Sequence, residues 1–138
     1  AELNDNEGED SFSMLPLFSK ESEMNYDREF TIHHSINGSF AIRKGDIKFI
    51  FTNDSGGWSY PRGGSKDGKD LPKFQLYNLK TDPGEVSNLY GKFPEIENNL
   101  IDLFKKAITN GRTTVGNIQK NDLNFPSKEE WDPLLIFE

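Results

Sequence analysis

At 138 residues the chain fits one domain and is long enough to bury a real core, with Leu, Ile, Val and Phe making up about a quarter of it. Twenty-three acids against 16 bases give a net charge of −7, which sets the chain against nucleic-acid backbones and anionic membrane surfaces, and no apolar run approaches the roughly 18 residues that span a bilayer. The absence of cysteine excludes disulfides, thiolate metal sites and cysteine nucleophiles within the chain.

The first ten residues, AELNDNEGED, are strongly acidic and lack an apolar stretch, so they read as an extended, mobile lead-in rather than a signal peptide. The first residue is not Met, and a processed or excised fragment is expected. The apolar cluster in Ser11 to Phe18 predicts a short helical turn or docking segment, and the polar run from Lys20 to Glu29 a loop. Glu29 to Ile36 alternates as a strand, with Phe30, Ile32 and His34 on one side and Thr31, His33 and Ser35 on the other. Asn37-Gly38 predicts a two-residue hairpin turn, because both residue types tolerate positive φ. Ser39 to Lys44 is then the return strand, Lys44-Gly45-Asp46 a second turn, and Ile47, Phe49 and Phe51 mark a third strand ending near residue 52.

Residues 53–72 hold five Gly and two Pro, a long loop of the kind that is either functional or mobile. Lys73 to Leu79 predicts a fourth strand, and Asp82-Pro83-Gly84-Glu85 fits a type II turn with Gly at its third position. Pro94 opens a helix whose apolar stripe is Ile96, Leu100, Leu103, Phe104, Ala107 and Ile108. Glu95 and Glu97 suit its positive end, Lys105 and Lys106 its negative end, and Asn110-Gly111 closes it. Residues 112–138 read as irregular, broken at Pro126 and Pro133, with an apolar patch from Trp131 to Phe137 that packs on the sheet or on another domain. The sum is an α+β fold: a four-stranded antiparallel sheet packed against one long C-terminal helix, with irregular N- and C-terminal tails.

Few residue groups suggest chemistry. His33 and His34 are neighbours on a strand, so their rings diverge and do not readily share a metal. Ser59-Tyr60-Pro61-Arg62 looks like a degraded Ser-x-Pro-x-Arg, one residue short between Pro and Arg. The run Asp54-Ser55-Gly56-Gly57-Trp58-Ser59 offers backbone N–H groups for an anion but lacks the Lys and helix of a P-loop. A large aromatic such as Trp58 in a Gly-rich loop commonly docks on a partner surface or a sugar ring. Glu7-x-Glu9-Asp10 lacks the twelve-residue loop of a calcium site.

Taken in order, several motifs carry a resemblance. They are His33-His34-Ser35; Gly38-x-Phe40-Ala41-Ile42-Arg43-x-Gly45-Asp46-x-Lys48; Ser55-Gly56-Gly57-Trp58-Ser59; Leu76-Tyr77-Asn78-Leu79 followed by Asp82-Pro83-Gly84-Glu85 and Asn88-Leu89; Gly111-Arg112-Thr113-Thr114-x-Gly116; and Gln119-Lys120-Asn121-Asp122. The run from about residue 8 to 125 resembles the C-terminal subdomain of the sulfatases, arylsulfatase-type hydrolases of the alkaline phosphatase superfamily. Gly8-Glu9-Asp10-Ser11, ending at Leu15-Pro16, resembles the stretch leading into that subdomain. Ile47 stands where the family places Trp.

The resemblance implies three parts: residues 1–28 as a linker from a catalytic domain outside this chain, 29–125 as the subdomain, and 126–138 as a tail. It implies no catalytic residue and no metal ligand here. Calcium, and the formylglycine formed from Cys-x-Pro-x-Arg or Ser-x-Pro-x-Arg, are expected in the missing catalytic domain, so the isolated chain is expected to be inactive. The expected partners are that domain and a sulfated small molecule or glycan, with His33, His34, Ser55, Trp58 and Ser59 touching the substrate. The parent is expected to be periplasmic or exported. Two other readings stand beside this one: a free-standing binding module for sulfated glycans, and a purely structural cap.

Overall fold

The computed structural model describes residues 3–18, 28–120 and 133–137. The loop expected over Lys20 to Glu29 falls mostly outside them, as do Asn121, Asp122, Pro126 and Trp131. Two compact units result, one of residues 29–104 and the other of residues 1–28 with 105–138.

The first unit is the sheet. Strands β1 (Thr31–His34), β2 (Phe40–Lys44), β3 (Ile47–Ile50) and β4 (Gln75–Asn78) pair antiparallel in the order β1-β2-β3-β4. Each is shorter than its apolar alternation suggests. With α1 (Leu15–Phe18) and α2 (Pro94–Asn110), the architecture is the α+β fold expected from the sequence. The alternation puts Phe40, Ile42, Phe49 and Leu76 on one face, and α2 covers that face: Phe104 stacks on Phe51 at 4.2 Å between ring centroids and meets Phe40 at 5.4 Å. Phe49, Phe74 and Tyr90 extend the aromatic cluster. Phe49, Phe104, Ile42, Leu76 and Leu100 are fully buried, and this dry layer supplies most of the driving force for the unit.

Three local expectations need correction. The β1–β2 connection is a three-residue loop, Ile36-Asn37-Gly38, closed by Ser35 N–H to Ser39 O at 2.9 Å and Gly38 N–H to Ser35 O at 3.0 Å. Only Gly38 adopts positive φ, at 85°, whereas a two-residue type I′ turn needs two such residues. Asn37 instead uses its carbonyl Oδ1 to accept from Ser35 Oγ at 2.7 Å and Ser39 N–H at 3.0 Å. The turn at Asp82 is not type II, since the positive φ falls on Glu85 (53°) and not on Gly84. The Asp82 carboxylate takes the N–H groups of Val86 and Ser87, at 3.0 and 2.8 Å, and draws the chain round one residue later. In α2, Ile96 is exposed rather than part of the buried stripe, and no basic residue lies in the last turn, Lys105 and Lys106 falling a turn too early. Glu97 is buried and bonds backward, accepting from Gly91 N–H at 2.7 Å and Phe93 N–H at 3.3 Å. It therefore fixes the approach to the helix rather than only complementing its dipole.

In the second unit the acidic lead-in is not extended. Residues 4–11 form tight turns (Glu7 N–H to Asn4 O, Ser11 N–H to Gly8 O). The buried Arg112 holds them: its Nη1 donates to the Asp5 carbonyl and carboxylate at 3.1 and 2.9 Å and to Asn117 O at 3.0 Å. Thr114 Oγ donates to Glu9 O at 2.6 Å, and Thr113 N–H to Asp10 Oδ1 at 2.8 Å. The Gly-Glu-Asp and Gly-Arg-Thr-Thr motifs therefore form one hydrogen-bonded clasp. Helix α1 presents Leu15, Leu17 and Phe18 as exposed side chains.

Candidate functional site

The sheet face opposite α2 is where chemistry-bearing residues collect. Register aligns Thr31, Arg43, Lys48 and Tyr77 in one cross-strand row and His33, Ala41, Ile50 and Gln75 in the next. Ala41 and Tyr77 are buried even so. Glu85 reaches this face and pairs with Lys48 at 2.6 Å, which relieves the repulsion between Arg43 and Lys48 directly opposite one another. His33 stands beside this pair. Burial, together with the Lys48 charge, pushes its pKa below the usual 6.5, against an opposing pull from Glu85.

His34 points the other way, as strand alternation requires. Its ring meets Phe40 edge-on at 6.0 Å, and its Nδ1 lies 3.0 Å from the Ser35 carbonyl oxygen. The two histidines do not converge.

The Gly-rich loop is held at one point above all, Asp54, whose residue is 9% exposed. The Asp54 carboxylate accepts Gly56 N–H at 2.8 Å, Gly64 N–H at 2.9 Å and Thr52 Oγ at 3.0 Å. Burial alone would raise its pKa, but these donors favour the charged form and hold it below 3.8. Behind it, Gln75 Nε2 donates to Thr52 O and Asp54 O at 2.8 and 2.9 Å, and Tyr77 Oη donates to Gln75 Oε1 at 2.8 Å. A chain of hydrogen bonds thus runs from the outer sheet face into the loop.

The loop also packs on the β1–β2 turn. Asn37 N–H donates to Gly56 O at 3.3 Å. A side chain on Gly56 would meet Ser35 Oγ at 2.5 Å, and one on Gly63 would meet Asn37 Nδ2 at 2.9 Å, so these glycines permit close approach of two loops. Within the loop Ser55 Oγ donates to Ser59 O at 2.9 Å and accepts Gly57 N–H at 3.2 Å, which commits its hydroxyl internally. Ser55 N–H to Pro61 O and Gly63 N–H to Gly57 O, both 2.9 Å, close the tip. On that closed tip Trp58 is 79% and Tyr60 83% exposed.

Of the five residues expected at a substrate, the loop therefore gathers Ser55, Trp58 and Ser59. His33 shares its side of β1 with Ser35, which the loop touches, and His34 belongs to the opposite face. Nothing in the sequence signals the roles of Asp54, Gln75 and Tyr77: the Asp54–Gly64 and Gln75–Thr52 contacts lie ten and 23 residues apart, and Tyr77 joins them through Gln75. On the outer sheet face Arg43 is exposed, with Nε donating to Gly45 O at 2.9 Å, and Lys48 holds Glu85. Among the described residues no three His, Asp or Glu side chains gather into a metal-ligating group.

No family model matches the chain. Over 82 residues it is 30% identical to an N-acetylgalactosamine-6-O-sulfatase of Bacteroides thetaiotaomicron, a stretch covering 59% of this chain and 16% of that enzyme. The chain is similar to part of a sulfatase. A solved chain from the metabolism of multiple glycosaminoglycans by the same organism is 28% identical, with 62% of this chain and 18% of that one covered, at a TM-score of 0.47. The chain thus spans less than a fifth of the length of either relative.

Proposed function

We propose that the chain is the C-terminal region of a sulfatase, packing on a catalytic domain and shaping part of its substrate site. The observation that carries this reading is the 82-residue similarity to the N-acetylgalactosamine-6-O-sulfatase, in a chain whose motifs follow the sulfatase order. In this reading hydrolysis of the sulfate ester belongs to residues outside the chain, where calcium and formylglycine supply the metal and the nucleophile. This chain contributes contacts. Trp58 offers an aromatic face to a sugar ring, Ser59 sits beside it on the loop tip, and His33 offers a ring nitrogen on the outer sheet face. Ser55 acts by holding the loop, because its hydroxyl is already engaged. His34 contributes least, with its Nδ1 on Ser35 O and its ring on Phe40.

The test starts from the coding DNA upstream of Ala1. An in-frame Cys-x-Pro-x-Arg or Ser-x-Pro-x-Arg, and release of sulfate from N-acetylgalactosamine 6-sulfate by the encoded full-length protein, are expected. In that protein Trp58→Ala raises KM about tenfold with kcat little changed, the loss of roughly one stacking contact. Absence of both the motif and turnover overturns the reading.

A second reading is favoured by the exposure of Trp58 on a held loop: a binding module that takes a sulfated glycan unaided. A Kd below about 1 mM for the chain by itself supports it, and no detectable binding removes it.

A further inference from the structure

The loop tip offers more than the Trp58 contact. It exposes two large aromatic rings, Trp58 and Tyr60, on backbone that is already ordered. The buried Asp54 carboxylate, the Ser55 hydroxyl, two backbone bonds across the tip and the seat on Asn37 fix it before any ligand arrives. Order established in advance lowers the entropic cost of binding.

The charge is equally particular. In a chain of net charge −7, residues 55–66 (SGGWSYPRGGSK) carry Arg62 and Lys66, and the next acid, Asp67, accepts Ser65 Oγ at 2.9 Å. The acid that introduces the loop, Asp54, is turned inward, its charge met by the N–H groups of Gly56 and Gly64. Exposed aromatic rings on one loop with hydroxyls and cations suit a pyranose ring, whose C–H face stacks and whose hydroxyls bond at the edge, within a saccharide that also bears anionic groups.

We infer that residues 55–66 form a subsite for a further sugar unit of an anionic oligosaccharide, with Trp58 and Tyr60 as stacking rings, Arg62 as the anion contact and Asp54 as the positioning residue. The inference rests on the reading that the chain serves a sulfated glycan, and it narrows that class from small sulfate esters to oligosaccharides.

The experiment measures binding separately from turnover. The 138-residue chain is titrated by calorimetry and by NMR with N-acetylgalactosamine 6-sulfate and with an acidic tetrasaccharide containing it. Of the two indole N–H signals, that of Trp58 is assigned by loss in Trp58→Phe. The tetrasaccharide is expected to bind at least about tenfold tighter than the monosaccharide and to shift the Trp58 signal. Tyr60→Ala and Arg62→Gln each remove most of that advantage without altering the fold. Asp54→Asn, which places an amide N–H₂ against donors, weakens the tetrasaccharide and broadens the Trp58 signal in the free protein. Equal affinity for the two saccharides, or a tetrasaccharide advantage that survives Tyr60→Ala and Arg62→Gln, overturns the subsite. So does a Trp58 found buried against another part of a longer protein. Failure of sulfate release in the upstream-extended protein, with the tetrasaccharide advantage intact, overturns the sulfatase reading alone.

Discussion

His33 reports on the outer sheet face more directly than any other residue. Its pKa is lowered by burial and by Lys48, and raised by Glu85. Its NMR titration midpoint is therefore expected below 6.5, moving up in Lys48→Gln and further down in Glu85→Gln. A midpoint at or above 6.5 that ignores both changes would mean that the ring is solvated and unconnected to the pair. Because the folded pKa lies below the unfolded one, the unfolded chain binds the proton first, and this group lowers stability as pH falls from about 6.5 toward the folded value. Asp54 has the same direction of shift in a different window. Its carboxylate stabilises the loop fully above about 3.8 and loses that effect as pH falls through its lower folded value. Backbone protection at Gly56 and Gly64 is expected to drop only in that acid range. Gly56→Ala, at φ 63° against Ser35, should destabilise the unit by about 1–3 kcal/mol in denaturant unfolding. A change within a few tenths would show that the two loops are free to separate.

At the scale of elements, α2 and the sheet depend on each other through Phe104. It is fully buried and stacked on Phe51, so Phe104→Ala should cost about 3–5 kcal/mol. Ile96→Ala, on the same helix but exposed, should cost far less. The helix was legible because Pro94, a period-3.6 stripe and Gly111 are local signals, and so were the strands, whose alternation sorts Phe49 from Lys48. The turns were legible in place but not in type. Whether Asn37 or Gly84 takes positive φ is decided by partners: Asn37's carbonyl on Ser35 and Ser39, and Asp82's carboxylate on Val86 and Ser87. The loop was visible as a Gly-rich stretch with one conspicuous aromatic. That it is held in place was not, since the holding groups Asp54, Gln75 and Asn37 look like ordinary polar residues until the sheet brings them together.

At the scale of the whole molecule, the two units differ in how the chain builds them. The sheet unit is one continuous stretch, residues 29–104, whereas the other combines the two ends of the chain. The lead-in looked mobile in the sequence because little around its acids announces a partner. Glu7 accepts Asn4 N–H locally, but the partners of Asp5 and Asp10 lie more than 100 positions away, at Arg112 and Thr113. Removing residues 1–10 is accordingly expected to leave hydrogen-exchange protection across β2 and β3 unchanged while abolishing it at Thr113 and Thr114. Loss of protection in both regions would make the units a single cooperative structure.

The Asp5–Arg112 clasp, 107 positions apart, also imposes an order of events on folding. Closing so long a loop from an open coil costs about 4 kcal/mol in chain entropy, but a sheet already formed between the two ends shortens the path they must search. On a ribosome the sheet can assemble as soon as its last strand emerges, whereas the clasp must wait for Arg112. The acids of the lead-in are the first part of this chain to be synthesised and among the last to find their partner.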